Sequence, residues 1–504
     1  MNILGISCFY HDSAASLVRD GEISAAAQEE RFSRKKYDPR FPFQAINYCL
    51  THSGIKLSDI DCLAFYADNL KSKFKLTLNL GLSHRIKFFS QGDSYLASAY
   101  YPSPFKEAVI LVNGSDVGVV LGKGERDKIN SLKDNVFKSS LGLTYSLITR
   151  YLGFNKYGDE FKVMGLAAYG KPKYKDIIQK HSEKSMAFLP KLKQSPDKEI
   201  TQLHMDIAAS LQVAVEEEAL KVAEYLYKIH KYENLCLSGD MALNCLINAR
   251  ILEQGLFKHI WIQPAATAAG ASIGAALLAW YRILNNERDV DLNKDTMSGS
   301  LLGPAYSDEY IESFLKNENI AYKRVSYEDI PKVAAELIAN AKIIGWFQGK
   351  MEFGPRALGN RSILADPRDM RMHKKINLEV KRREPFRPFA PTVLWEKAKE
   401  YFELESENPY MLFTAKVREE KKKYIPAVTH VDGSSRIQAL KREDNPLYYD
   451  LINEFYKKTG CPVIINTSFN TKSEPMVLTP QDAYRCFRSS EIDCLVLGSF
   501  LIVK

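Results

Sequence analysis

Short apolar runs of strand length recur along the chain, each closed by turn residues. Residues 2–7 (NILGIS) form a continuous apolar run, as a buried strand requires, and a turn follows at 9–12. Residues 14–18 and 22–26 flank Asp20-Gly21, a dipeptide that tolerates the positive φ of a two-residue hairpin turn. Residues 43–53 carry a helical period that stops at Gly54, and 61–66 read as a further strand. The opening hairpin then recurs: 108–112 and 117–121 lie on either side of Asn113-Gly114. Residues 205–232 predict one long amphipathic helix. At 235–237 a strand leads into SGDMALNCLINARIL, a glycine turn and a helix, and 268–284 is an Ala- and Gly-rich helix able to approach its neighbours closely. A strand–hairpin–helix unit that occurs twice predicts an α/β fold with internal duplication, each half offering a glycine turn to nucleotide phosphates.

Residues 285–305 are polar and broken by Gly and Pro, as linkers are. Domains are therefore expected at 1–285 and 305–504. The second begins with a helix at 307–317 and a strand at 341–347 and ends with strands at 463–466 and 494–498. A chain of 504 residues can bury two or three cores, and its apolar (45%) and charged (26%) fractions are those of a globular protein. A net charge of +8 permits an anionic ligand without pointing to nucleic acid. The 8 cysteines are scattered singly with no CxxC pair, which argues against zinc and redox motifs and for a reducing, cytoplasmic setting. No apolar run reaches the ~18 residues of a membrane span, and Met1 leads straight into the first strand, so no cleavable leader is expected.

The densest chemistry follows the strand at 341–347. Arg356, Arg361, Arg368, Arg371, Lys381, Arg382, Arg383 and Arg387 crowd one Gly- and Pro-rich stretch. Gly and Pro fix a backbone, and a rigidly held guanidinium suits two-point recognition of phosphate. Charge runs are more often solvated surface, and Glu352, Asp366 and Glu384 are available to turn single arginines into braces. The Phe and Pro residues set among the charges in PRALGNRS and REPFRPFAP favour an anion site.

The strings GWFQGKMEFGPRALGNRSILADPR, KRREPFRPFAP, PAVTHVDGSSRIQ and INTSFNTKSEPMV, with the opening GISCFYHDSAASLVRDGEISAAAQEERFSRKKYDPRFP, resemble the NodU/CmcH carbamoyltransferases. The resemblance spans nearly the whole chain, with gaps near 70–90 and 180–200. It implies an actin-like (ASKHA, duplicated RNase H-like) domain followed by a YrdC-like α/β domain. It also implies ATP-dependent transfer of a carbamoyl group from carbamoyl phosphate, through a carbamoyl-adenylate, to a hydroxyl or amine of a small molecule or sugar. Mg2+ would accompany the ATP. Lys381-x-Arg383 with Ser468-x-Asn470 is similar to the KxR…SxN pattern of YrdC-like proteins. With Thr467 these residues would hold ATP and the acyl phosphate, and Arg356, Arg361 and Arg387 would add clamps. Such chemistry needs positioning and charge neutralisation more than a protein nucleophile. In the first domain the resemblance puts Asp12 near the acceptor or phosphate site. His11-Asp12-Ser13 is not read as a triad, whose members are seldom sequence neighbours. Glu160 and Lys162 match the family's GEYKVMGL string, and Gly239 and Asn244 its nucleotide loop.

Departures from the family pattern concern its metal. The HxxxH pair before SAYYPSPF reads Gln91 and Tyr95, the VDGxG loop reads Val112-Asn113-Gly114-Ser115-Asp116, and the Asp of PAAGDAG reads Ala268. An iron-type site needs several His or carboxylate ligands, so it is expected to be absent. A shifted site at Asp93 and Asp116 is the weaker alternative. The remaining histidines (His52, His84, His181, His204, His230, His259, His373, His430) show no ligand spacing. Two other classes stay open. One is a non-transferring paralogue or partner subunit, acting as a homodimer or beside a metal-competent paralogue, that makes or binds the adenylate. The other is an RNA contact through basic residues 71–87, which lack a clear stacking spacing of aromatics.

Overall fold

β1 (Asn2–Ser7) is buried at every residue after Asn2, which is why its sequence is continuously apolar instead of alternating. It belongs to a computed structural model that describes residues 1–67, 85–132, 140–192, 196, 199–404 and 406–504. His84 and most of the basic stretch 71–87 lie outside the described residues. The chain divides into two compact units, Met1–Glu29 with Tyr37–Met297, and Glu30–Lys36 with Ser298–Lys504. Nothing in the sequence pattern marks the excursion of Glu30–Lys36 into the second unit.

In the first unit, β1 is flanked by β2 (Ala14–Arg19) and β3 (Glu22–Gln28) on one side. On the other side lie β4 (Cys62–Tyr66) and β5 (Ile86–Phe89). The hairpin neighbours are antiparallel and the others parallel. A second sheet repeats this plan. β6 (Glu107–Gly114) pairs with β7 (Gly118–Glu125), which pairs with β8 (Lys128–Leu132), and on the other side stand β9 (Asn234–Ser238) and β10 (His259–Ile262). Two sheets of one topology make the duplicated actin-like α/β fold. The turn at Asp20-Gly21 takes φ of 50° and 89°. The second turn differs from expectation: Asn113 and Gly114 stay within β6, and the chain reverses at 115–117.

The helix Ala268–Leu278 is wholly buried against β1, β2 and β4, and the helix Gln91–Tyr100 packs on it. Their contact is made by backbone. A Cβ on Gly274 would stand 1.9 Å from the Ser94 carbonyl oxygen, and one on Gly5 would stand 2.0 Å from that of Ser272.

The second unit is built on a mixed sheet. Its order is β11 (Lys323–Arg324), β20 (Phe500–Val503), β19 (Cys494–Leu497), β12 (Ile344–Phe347), β13 (Arg361–Ala365), β18 (Val463–Ser468), β14 (Ala390–Leu394) and β17 (Gln438–Leu440). β15 (Thr414–Lys416) and β16 (Ser434–Arg436) form a separate pair. The helices Ile330–Ala339 and Pro446–Thr459 pack together. All 8 cysteines of the chain are buried. Among the described residues no helix is long and apolar enough to cross a membrane.

Gly274→Ala decides whether close approach governs the helix pair. On an open helix this change stabilises by about 1 kcal/mol. Here the added methyl meets a backbone oxygen, so we expect destabilisation of about 1–3 kcal/mol in urea unfolding. A variant as stable as the parent would show that the helices are not locked at this contact.

Candidate functional site

In the second unit, β18 ends at Ser468 and hands the chain to a loop bearing Asn470. The Asn470 amide Nδ2 donates to the Glu474 carbonyl at 2.7 Å, which turns its Oδ1 inward. Lys381, 3% exposed, brings its ammonium to that atom at 2.5 Å. The same ammonium reaches the Asn470 carbonyl at 2.7 Å, the Ser468 carbonyl at 2.6 Å and Ser468 Oγ at 3.2 Å. Every one of these acceptors is neutral. Burial pushes the Lys381 pKa well down, and the charges of Arg383, Arg387 and Lys36 push the same way. Arg383 Nε donates to Asn377 Oδ1 at 2.7 Å, and its guanidinium lies 4.8 Å from the centre of the Phe389 ring. Burial, then Arg387, lowers its pKa too, and Glu384 opposes them. Arg387 stands 3.8 Å from the Glu384 carboxylate. Lys381, Arg383, Arg387, Ser468 and Asn470 thus gather positive charge and neutral oxygens where an anion would complete the balance.

Two predicted members stand differently. Arg361 is fully buried and stacks 3.6 Å over the Phe347 ring. It donates to the carbonyls of Gln348, Gly349, Asn360 and Pro304 at 2.6–3.2 Å. That is the position of a brace for the 348–361 loop, because donors spent on carbonyls cannot also clamp phosphate. Glu352 Oε1 tightens the same loop by accepting from the backbone N–H of Leu358, Asn360 and Arg361. Thr467 pairs with Ile363 and points to the face of β18 opposite Ser468. Arg356 is half-buried in the loop.

Sequence reasoning missed Arg31 and Arg34. Arg31 pairs with Glu30 at 2.7 Å and donates to the Gly354 carbonyl at 2.8 Å. Arg34 donates to the carbonyls of Met476 and Pro475 at 2.6 and 2.8 Å. The short 30–36 segment therefore ties down two loops of the second unit. Its run of basic residues was the available signal, but contacts so distant in sequence leave no local pattern.

In the first unit, the positive-φ residue Asp12 (60°) turns into the protein and is 3% exposed. Its carboxylate lies 3.5 Å from His11 Nδ1. Asp116 Oδ2 accepts from the hydroxyls of Tyr66 (2.8 Å) and Tyr95 (3.0 Å). Asp240 accepts from Ser115 N at 2.9 Å and Ser115 Oγ at 2.6 Å. Burial, then the Asp116 charge, raises the Asp240 pKa to about 6. Burial works to lower the His11 pKa, but the hydrogen bond and charge of Asp12, with Asp116 and Asp240, raise it overall. The Tyr157 hydroxyl lies 2.8 Å from His11 Nδ1.

The other predicted residues of this unit shape the loops. Lys162 pairs with Asp159 at 2.8 Å, and Glu160 accepts from Ser146 Oγ at 2.7 Å. Gly239 (φ 88°) passes so close to Asn113 that a Cβ would stand 2.3 Å from its carbonyl oxygen. Asn244 caps the helix Cys245–Glu253 through Oδ1.

The family's metal does not fit this donor set. Tyr95 gives its hydroxyl to Asp116, Asn113 Oδ1 lies 3.4 Å from the Gly142 N–H that donates to it, and Ala268 is a fully buried methyl at the start of its helix. Asp93 is instead paired with Arg282 at 2.9 Å. Among the described residues no group of three His, Cys, Asp or Glu side chains is arranged to hold a metal ion.

Residues 2–80 and 78–277 match the family described as carbamoyltransferase N-terminus, and 335–504 match the carbamoyltransferase C-terminus. The uncharacterized protein sll1178 of Synechocystis sp. is 42% identical over 100% of this chain and 97% of its own length. Nodulation protein NolNO of Sinorhizobium fredii is 38% identical over 98% of this chain and 79% of its own. Among solved structures, component A of the Acidaminococcus fermentans (R)-2-hydroxyglutaryl-CoA dehydratase is 16% identical with a TM-score of 0.37, covering 56% of this chain and 99% of that one.

Asp116→Asn removes the like charge beside Asp240. We expect the Asp240 carboxyl, followed by carbon-detected NMR, to titrate below its parent value of about 6. A raised acid pKa means the folded protein holds the extra proton, so stability falls as pH rises from the ordinary carboxylate range through about 6. The variant should lose part of that slope. An unmoved titration would show that burial alone sets the value.

Proposed function

The chain belongs to the carbamoyltransferase family, and from that premise we propose that its second unit makes carbamoyl-adenylate and its first unit hands the carbamoyl group to a small-molecule acceptor. Water splits carbamoyl phosphate to carbamate and inorganic phosphate. A carbamate oxygen then attacks the α-phosphorus of ATP, the new P–O bond forms, and pyrophosphate leaves. An acceptor oxygen or nitrogen attacks the carbonyl carbon, the bond to the AMP oxygen breaks, and the acceptor's proton passes to solvent.

One observation carries the adenylate half: an ammonium, that of Lys381, buried among the neutral oxygens of Ser468 and Asn470 beside two guanidinium groups. A buried cation without a counter-charge is costly, and a bound polyphosphate or acyl phosphate would offset that cost. In this reading Lys381 and Arg383 steady the phosphates, and Arg387 swings from Glu384 to the incoming anion. Ser468 and Asn470 hold the Lys381 ammonium in line. In the first unit Asp12, His11 and Asp240 face the acceptor.

The test is exchange of labelled pyrophosphate into ATP, with and without carbamoyl phosphate. Exchange should require carbamoyl phosphate. Arg383→Ala and Lys381→Met should each lower its rate about 100- to 1,000-fold, the scale for loss of one preorganised charge-stabilising contact. Exchange that proceeds undiminished in both variants would remove these residues from the chemistry.

A further inference from the structure

In the second unit the helix Met370–Lys375 widens at its end into a single π-turn, Ile376–Val380. Such turns are rare and recur at functional sites. This one carries Asn377, which is 0% exposed. Two backbone bonds fold the next residues back onto the turn. Lys381 N donates to the Ile376 carbonyl at 2.7 Å, and Arg383 N donates to the Asn377 carbonyl at 2.9 Å. Between them Arg382 takes a φ of 47° and donates to the Ser489 carbonyl at 2.7 Å.

Both ends of the Asn377 amide are used. Its Oδ1 accepts from Arg383 Nε at 2.7 Å, and its Nδ2 donates to the Arg387 carbonyl at 3.0 Å. A guanidinium N–H can only donate and a carbonyl can only accept, so these partners fix which way the amide faces. His373 Nε2 lies 3.1 Å from the same carbonyl. The His373 ring meets Phe389 edge-on at 5.4 Å, and Arg383 lies over that phenyl ring.

Elsewhere the chain fixes arginines with charge. Asp38 holds Arg40, Asp366 holds Arg368 and Asp369 holds Arg371, each through carboxylate oxygens that accept from the guanidinium. Such a brace neutralises the charge it orients. Asn377 orients Arg383 with a neutral group. A carboxylate of the same shape would cancel that charge and set an oxygen against the Arg387 carbonyl.

We propose that Asn377 is a positioning residue: it aims the Arg383 guanidinium and sets the Arg387 backbone while leaving the Arg383 charge for a substrate anion. The proposal rests on the reading of Lys381 and Arg383 as phosphate-binding groups.

A double-mutant cycle on the whole chain tests it, with pyrophosphate exchange measured at saturating ATP and carbamoyl phosphate. Asn377→Asp should lower the rate about 10- to 100-fold, the scale of a misaimed catalytic group. Added to Arg383→Ala, the same change should cost no more than about twofold, because its effect passes through Arg383. Losses that multiply in the double variant would overturn the proposal, as would a parental rate in Asn377→Asp. A second readout needs no change at Asn377. In protein labelled with 15N-arginine, the Arg383 Nε–H resonance is identified by its loss in Arg383→Ala. It should exchange with water about tenfold or more slowly than those of exposed arginines before any ligand is added. Exchange as fast as theirs would overturn the proposal even if Asn377→Asp fails to fold. A parental rate in Arg383→Ala contradicts the adenylate reading itself. A reduced rate there, beside multiplying losses, contradicts the positioning role alone.

Discussion

The buried ammonium of Lys381 is the constraint on which the second unit turns. Taking an ammonium from water into protein costs several kcal/mol unless charge or hydrogen bonds compensate it. Here the compensation is partial: oxygens of Ser468 and Asn470, and no carboxylate among its hydrogen-bond partners in the described residues. Those oxygens are themselves held, Ser468 by the end of β18 and Asn470 by the Glu474 carbonyl. Arg34 steadies the backbone just beyond, at Pro475 and Met476. Arg361 and Glu352 brace the neighbouring loop from within. In the proposed reading, groups held this firmly would meet an anion without reorganising, which is how electrostatic preorganisation lowers a barrier.

The first unit carries the opposite sign. Its duplicated sheets bring the turn after β1, the turn after β6 and the loop after β9 to bear on Asp12, Asp116 and Asp240. The positions to which the resemblance assigns metal ligands carry Gln91, Tyr95, Asn113 and Ala268. Tyr95 donates to Asp116, and Asn113 Oδ1 accepts from the Gly142 N–H.

How much of this was legible in the sequence depended on range. β1, β6, β9 and β18 each contain a short apolar run, and both hairpins were visible from their Gly-containing turns, although β6 runs on through Asn113 and Gly114. Lys381-x-Arg383 and Ser468-x-Asn470 could be read because each pair is local and matches a known string. Arg361 could not be sorted from its neighbours. Whether a guanidinium braces carbonyls or faces a ligand depends on what folds over it, here Phe347 and Pro304. The cluster of Asp240, Tyr66 and Tyr157 and the docking of Arg31 and Arg34 join residues tens to hundreds of positions apart, and no periodicity encodes such pairings.

The central claim is that ATP is cleaved at its α-phosphorus by a carbamoyl oxygen. Positional isotope exchange tests it without knowing the acceptor. ATP labelled with 18O in the α,β-bridge is incubated with the chain and carbamoyl phosphate, and 31P NMR follows the label. Reversible adenylate formation predicts migration of 18O into the β-non-bridging positions only when carbamoyl phosphate is present. A label that stays in the bridge while ADP accumulates would contradict the account.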